Sequence, residues 1–258
     1  MEEYPCEAVR TNVMGTRILA DAAVRHGVEK FIMISTDKAV RPSNVMGATK
    51  HIAETYVQSL SNAIKEGKVA GKTCFITTRF GNVLGSNGSV IPLFRRQILE
   101  GGPVTVTHPD IIRYFMTIPE ACQLVLEAAF LGEGNDIFIF NMGAAVKIDD
   151  MARKMIRLSG LIPDKDIKIE YTGLRPGEKL YEELLYKEES TLPTSNPEIF
   201  HAESINTEYQ SLLPSIEELI AIAGTDDKLE TVKYMKKITP EFISQHSRYE
   251  ALDKENKQ

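Results

Sequence analysis

The chain has 258 residues, 43% of them hydrophobic and 26% charged, a composition that suits an ordinary globular protein with a substantial core in one or two domains. A formal net charge of −6 at pH 7 excludes the concentrated basic face of a nucleic-acid binder. The histidines show no metal-ligand spacing, and three scattered cysteines (Cys6, Cys74 and Cys122) exclude a zinc-type motif and fit a reducing compartment.

Apolar positions Val9, Val13, Leu19, Ala22 and Ala23 recur at helical spacing and predict a helix over 7–25, stopped at Gly27. KFIMIS, residues 30–35, reads as a hydrophobic strand. Ile52, Tyr56, Leu60 and Ile64, with Ala53 and Val57 beside them, predict a helix over 47–65. The β-branched and aromatic run TCFITTRF predicts a buried strand over 73–80. Helix 90–100, strand 103–107, helix 119–131, strand 136–141 and helix 148–159 follow, the last behind the capping-type Lys147-Ile148-Asp149-Asp150. Cys74 and Cys122 lie in apolar runs and are expected in the core. This alternation predicts an α/β protein with a doubly wound, mainly parallel sheet. From about residue 187 the character changes. Glu188, Glu189, Pro193 and Pro197 punctuate a loop, and polar helices are expected near 214–223, 227–236 and 239–246. The closing HSRYEALDKENKQ is expected to fray and to cover a surface or an oligomer contact. No apolar run reaches the roughly 18 to 20 residues that cross a bilayer. The start, Met-Glu-Glu-Tyr-Pro, has no signal-peptide character, so a cytoplasmic location is expected.

Ser35-Thr36-Asp37-Lys38 lies where the first strand runs out, and Met46-Gly47-Ala48-Thr49-Lys50 opens the next helix. Ligands of open α/β sheets bind beyond the carboxyl ends of the strands, so a hydroxyl, a carboxylate and two ammonium groups meet where chemistry is done. A helix cap is the competing account of Thr36-Asp37 taken alone. An adjacent carboxyl and amine can be driven apart in pKa, which suits paired proton transfers. Two arginines, in DIIRYFMT (Arg113) and LRPGEK (Arg175), carry the planar fork that matches phosphate oxygens. Glycines within Gly81–Gly88 let backbone approach a ligand closely. No glycine-rich pyrophosphate turn precedes residue 30, and the Gly81, Gly85, Gly88 spacing is not that fingerprint.

The string from Ser35 to Lys50 is similar to the active-site segment of extended short-chain dehydrogenase/reductases. More narrowly it resembles the nucleotide-sugar 4,6-dehydratases of bacterial polysaccharide biosynthesis, of the UDP-N-acetylglucosamine type, over about residues 5–186. The resemblance implies a Rossmann-like fold lacking its amino-terminal part, with a smaller carboxy-terminal substrate-binding subdomain. Residues 1–186 would be a partial NAD-binding domain with nucleotide-sugar segments interleaved at about 84–118 and 144–186, and 187–258 a helical extension. It implies NAD as cofactor and a UDP-sugar as substrate, with hydride taken from C4 and returned to C6 as water leaves across C5–C6. Thr36 would bond the C4 hydroxyl, Asp37 act as acid at the C6 oxygen, Lys38 as base at C5, and Lys50 hold the nicotinamide ribose. Met46 stands where most of the superfamily has Tyr. That departure resembles a long, membrane-anchored branch, which would place the domain on the cytoplasmic membrane face. A thioether cannot take a proton, so C4 oxidation needs another route, such as Thr36 with Asp37 or a bound water. Asn12, Ser35, Phe80, Gly81, Asn82 and Val83 would line the cofactor. Asn82, Ser89, Val90, Ile91, Pro92, Thr105, Thr107, Arg113 and Arg175 would line the substrate, and Glu178 would accept from its ribose. A homo-oligomer and no metal are expected. Competing expectations are a nucleotide-sugar epimerase or reductase, against which Asp37-Lys38 speaks, and a non-catalytic piece that keeps a UDP-sugar pocket.

Overall fold

The computed structural model describes residues 1–86, 88–183, 191–202 and 207–255; Asn87, Glu188, Glu189 and the expected boundary at 186–187 lie outside the described residues. The chain opens on α1 (Pro5–Ala8), a π-helical segment Val9–Met14 and α2 (Gly15–Arg25), joined end to end. Then come β1 (Lys30–Thr36), α3 (Val45–Lys65), β2 (Cys74–Phe80), β3 (Asn82–Val83), α4 (Val90–Leu99), β4 (Val104–Val106), β5 (Ile112–Arg113) and β6 (Phe115–Met116). After these follow α5 (Ile118–Leu131), β7 (Asp136–Phe140), β8 (Val146–Lys147), α6 (Ile148–Leu158), β9 (Ile169–Tyr171), β10 (Thr191–Pro193), β11 (Ile199–Ala202), α7 (Tyr209–Gly224), α8 (Lys228–Ile238) and α9 (Ala251–Glu255).

The central sheet runs β1-β2-β7-β11-β10, with β1, β2 and β7 parallel and the β10–β11 hairpin antiparallel. Strand side chains alternate between faces. Phe31, Met33 and Phe75 therefore enter a core under α3, while Ile32 and Ile76 enter one with α5 on the other face. A parallel strand covered on both faces has no solvent side, which is why β2 reads as a β-branched and aromatic run whose five inner residues are all buried. On the first face α3 is sandwiched: fifteen of its 21 residues are buried, because α7 and α8 cover the flank that the sheet does not. A smaller unit packs Phe94 and Ile98 of α4 and Ile156 of α6 on the parallel β4–β9 pair.

Several expectations need correction. Strand 103–107 is confined to β4 and pairs with β9, outside the central sheet. The carboxy-terminal extension is not wholly helical, since β10 and β11 extend the sheet beside β7; the edge position tolerates Pro193, which has no ladder donor. No helix spans 239–246. α8 ends at Ile238 because Pro240 disfavours helical backbone at Thr239. The closing residues do not fray as a whole: Tyr249 and Leu252 are buried in the core beside α8. Cys122 is exposed, because the inward positions of α5 are Ala121, Leu124 and Ala128. Lys147 caps α6 without a side-chain bond; Asp149 instead turns inward and accepts from Arg153 Nε and Tyr171 Oη, each at 2.8 Å.

Candidate functional site

β1 and β2 end level, with Ser35 opposite Arg79 and Thr36 opposite Phe80, so the residues just beyond them are brought side by side. Beyond β1 a 3-10 turn over Asp37–Ala39 is capped by Thr36 Oγ1, which accepts from the Lys38 amide. Asp37 is fully buried. Its Oδ1 accepts from Thr36 Oγ1 and from Lys38 Nζ, both at 2.8 Å, while Oδ2 has no hydrogen-bond partner among the described residues. Lys38 Nζ also lies 3.3 Å from Asn82 Oδ1, just beyond β2. Gly81 makes this approach possible, since a Cβ there would stand 3.2 Å from Asp37 Oδ2. Thr36, Asp37, Lys38 and Asn82 thus form one hydrogen-bonded chain.

Two devices hold the α3 side. The Arg79 guanidinium, at the end of β2, grips Glu54 of α3 through Nε at 3.0 Å and Nη2 at 2.7 Å, and both side chains are 1% exposed. Such a buried pair is sensitive to geometry, because neither charge has water to fall back on. It fixes the turn of α3 that follows Lys50, whose Nζ donates to the Ile34 carbonyl at 3.2 Å. Burial lowers the Lys50 pKa, and Glu54 opposes that shift. Asn12 lies in the π-helical segment, a distortion common at functional sites, and its Nδ2 donates to Thr49 Oγ1 at 2.9 Å.

Lys38 opens into a cavity of about 580 Å³ between the strand ends and the α4–β4–α6 unit. Of the expected residues, Lys38, Met46, Asn82, Val83, Ser89, Val90, Thr105, Thr107, Arg113, Arg175 and Glu178 line it. Thr36, Asp37, Ser35, Phe80 and Gly81 stand behind this wall, while Asn12 and Lys50 belong to the α3 side. Ile91 and Pro92 do not line the cavity; α4 starts at Val90, so helical periodicity turns Leu93 and Phe94 inward in their place. Arg113 is 8% exposed, and its fork is engaged with the 178–180 loop: Nη2 donates to Glu178 Oε1 at 3.2 Å and to the Lys179 carbonyl at 2.9 Å. Glu178 in turn accepts from the Arg175 amide at 3.0 Å.

Sequence inspection missed Glu182, which lines the cavity, lies 3.8 Å from Arg113 Nη2 and has its pKa raised by burial. It also missed Lys179, whose Nζ donates to the Val40 carbonyl at 3.2 Å and whose pKa burial lowers. Both sit in an irregular loop, where no periodicity marks an inward position. Leu93 and Phe94 were readable from the start of α4. Among the described residues no group of three His, Cys, Asp or Glu side chains could hold a metal ion. The residues present fit one end of a nicotinamide cofactor, in that Ser35 Oγ is a buried polar atom without a partner among the described residues and Lys50 places an ammonium beside the carboxyl end of β1. No helix among the described residues is long and apolar enough to cross a membrane.

Residues 1–204 match the family model described as polysaccharide biosynthesis protein. Over 189 residues the chain is 59% identical to the capsular polysaccharide biosynthesis protein CapD of Staphylococcus aureus, covering 73% of this chain and 30% of that one. It is 40% identical to a UDP-glucose 4-epimerase of Rickettsia rickettsii, covering 73% and 52%. The solved structure of Pen from Bacillus thuringiensis superposes with a TM-score of 0.71 at 38% identity, covering 80% of this chain and 62% of that one. The chain therefore spans about a third to a half of the curated relatives named here. Solved structures under 25% identical share the fold alone; dTDP-glucose 4,6-dehydratases with NAD bound and a UDP-N-acetylglucosamine 4-epimerase are among them. With a mainly parallel sheet and these relatives, the chain belongs to the polysaccharide biosynthesis protein family and shares its fold with the nucleotide-sugar dehydratases and epimerases among its structural neighbours.

Proposed function

We propose that the chain carries the substrate-binding and proton-transfer part of an NAD-dependent dehydration of UDP-N-acetylglucosamine in surface polysaccharide biosynthesis. The observation that carries this is the Thr36–Asp37–Lys38 relay opening at Lys38 into a cavity whose far wall holds Arg175 and Glu178. Arg175, at the exposed rim, would take the diphosphate, and Glu178 the ribose hydroxyls. Arg113 would act on the diphosphate side chiefly by holding the Glu178–Lys179 loop in place.

Met46 lines the cavity but its thioether accepts no proton, so the relay must serve C4 oxidation. Thr36 Oγ1 already donates to Asp37 Oδ1, the direction in which a proton leaving the C4 hydroxyl would pass. Asp37 would then hold a proton to give to the departing C6 oxygen as water leaves, and Lys38, as the neutral amine, would take the C5 proton and return it to C5 when hydride reaches C6, so that protons balance in each turnover. NAD, when bound, supplies hydride acceptance at C4 and return at C6; Ser35 and Lys50 would hold its ribose end. An enzyme that only epimerises C4 needs no such acid and base. The epimerase reading is favoured by relatives of that name, UDP-glucose 4-epimerases of Rickettsia species at 40–41% identity.

The test is thermal stabilisation of this chain by UDP-N-acetylglucosamine and, separately, by NAD, since a ligand that binds only the folded state raises Tm with occupancy. Stabilisation by the UDP-sugar supports the proposal. No response to it at millimolar concentration sinks the substrate assignment, and the response to NAD shows whether the cofactor end is competent alone.

A further inference from the structure

The residues after α8 do more than close the chain. Beyond Ile238 the backbone turns at Pro240–Glu241, and the residues after the turn lie along the loop that follows the Asp37–Lys38 turn. The Ile243 amide donates to the Pro42 carbonyl and the Gln245 amide to the Ser43 carbonyl, both at 3.2 Å, so alternate amides of this segment tie it to two successive carbonyls of the loop. From the other side, the Gly177 amide donates to the Gln245 carbonyl at 2.6 Å. Gly177 is the centre of the Arg175–Glu178 wall. Its carbonyl accepts from Ser43 Oγ at 2.8 Å and Asn44 Nδ2 at 2.9 Å. Its φ is +78°, and a Cβ there would fall 2.2 Å from Asn44 Cβ, so the two loops touch backbone to side chain with no room between them.

One buried ammonium anchors this segment. Lys236 is 2% exposed, and its Nζ donates to the Phe242 carbonyl at 3.1 Å, to Ser244 Oγ at 2.9 Å and to Asp253, which uses all three of its donors. The same Nζ sits 4.0 Å from the centre of the buried Phe242 ring. Asp253 returns to the segment by accepting from the Ser244 amide at 3.1 Å. Further along, Ser247 Oγ donates to Glu2 Oε2 at 2.8 Å, and Glu2 Oε1 accepts from the Val45 amide at 2.6 Å at the start of α3. The segment itself, with its anchor Lys236, lies outside residues 1–204, the part that the family model matches, while its contacts lie within it.

We propose that residues 242–253 are a strap that positions the Arg175–Glu178 wall of the cavity against the 42–46 loop, with Lys236 as its anchor and Gln245 as its contact to both loops. These are positioning residues: neither Lys236 nor Gln245 lines the cavity. Without the strap, Gly177 loses one of its three fixed contacts and the 42–43 carbonyls lose their donors. The two walls would then move independently and bind a nucleoside diphosphate less well. The inference rests on the proposed UDP-sugar reading for its ligand but not for its mechanics.

The experiment compares Gln245→Pro, which deletes the amide donor, with Gln245→Ala, which keeps it, on the full chain; both alter an exposed side chain. UDP affinity is read by calorimetry, and hydrogen exchange of peptides spanning 40–46 and 173–179 is read without ligand against β2 and β7 as internal reference. Gln245→Pro should weaken UDP about fivefold, the effect of losing one ordinary hydrogen bond. It should also speed exchange in those two segments while the reference strands stay protected. Gln245→Ala should match wild type in both. Lys236→Met should reproduce the Pro effect more strongly; should it fail to fold, the Gln245 pair decides alone. Unchanged exchange at 40–46 and 173–179 in Gln245→Pro overturns the strap. If wild type itself ignores UDP, the ligand assignment fails, and the exchange comparison still decides the strap.

Discussion

The two sides of the Asp37–Lys38 segment are built differently. On one side the cavity is closed by α4, β4, α6 and the Arg175–Glu182 loop, so every wall comes from this chain. On the other, β1 pairs only with β2 among the described residues; its second edge carries no strand, Ile34 is 44% exposed, and the polar groups there are the orphaned Ser35 Oγ and the Lys50 ammonium. The relay between them belongs to both, with Lys38 facing the cavity and Asp37 lying behind it. The contrast shows how one strand end can serve two environments, a walled cavity on one side and an open sheet edge on the other.

The largest effect should come from the pair that supports both sides. Arg79→Met leaves Glu54 buried without its counter-charge and should cost about 3 to 5 kcal/mol, read as a lowered denaturation midpoint. A loss within the range of a surface ion pair would mean that water reaches Glu54. Next, Arg113→Met removes charge-assisted bonds to the 178–180 loop, worth about 2 kcal/mol, and should weaken UDP roughly thirtyfold in calorimetry. Any response to NAD should stay as in wild type; equal loss of both would erase the distinction between the sides. Gly177→Ala imposes a side chain at positive φ and against Asn44, and should cost more than the about 1 to 2 kcal/mol of the backbone conformation alone while lowering UDP affinity.

A pH effect sharpens the comparison further. Burial raises the Glu182 carboxyl above its ordinary pKa of about 4.3, so between that value and the raised one the folded chain holds a proton that the unfolded chain has lost. Stability therefore falls as pH rises through that window. Glu182→Gln should remove the fall, as thermal unfolding followed across the acidic range would show; an unchanged slope would assign it to another group. The smallest effect is expected on the open side: Ile34→Thr should shift stability by no more than about 0.5 kcal/mol, because its side chain already meets water. A large loss would mean that this edge is covered in solution.

The sequence by itself determined the elements that bury a continuous or periodic apolar face. β1, β2, α3, α5 and β7 were legible because a parallel strand covered on both faces and a sandwiched helix leave a pattern that local spacing records. The Thr36-Asp37-Lys38 turn was legible too, since strand ends announce themselves and the motif is contiguous. What only the tertiary structure decided depends on residues far apart in the chain. The Arg79–Glu54 grip joins a strand to a helix 25 positions earlier, and Lys236 finds Asp253 across a segment whose composition reads as a frayed tail. Glu182 and Lys179 face inward because Arg113, more than 60 positions earlier, bonds the carbonyls of their loop. Periodicity marks a regular element's buried face; it does not report which irregular backbone will be held against which wall, because those contacts are closed by hydrogen bonds between segments and not by the spacing of apolar residues within one.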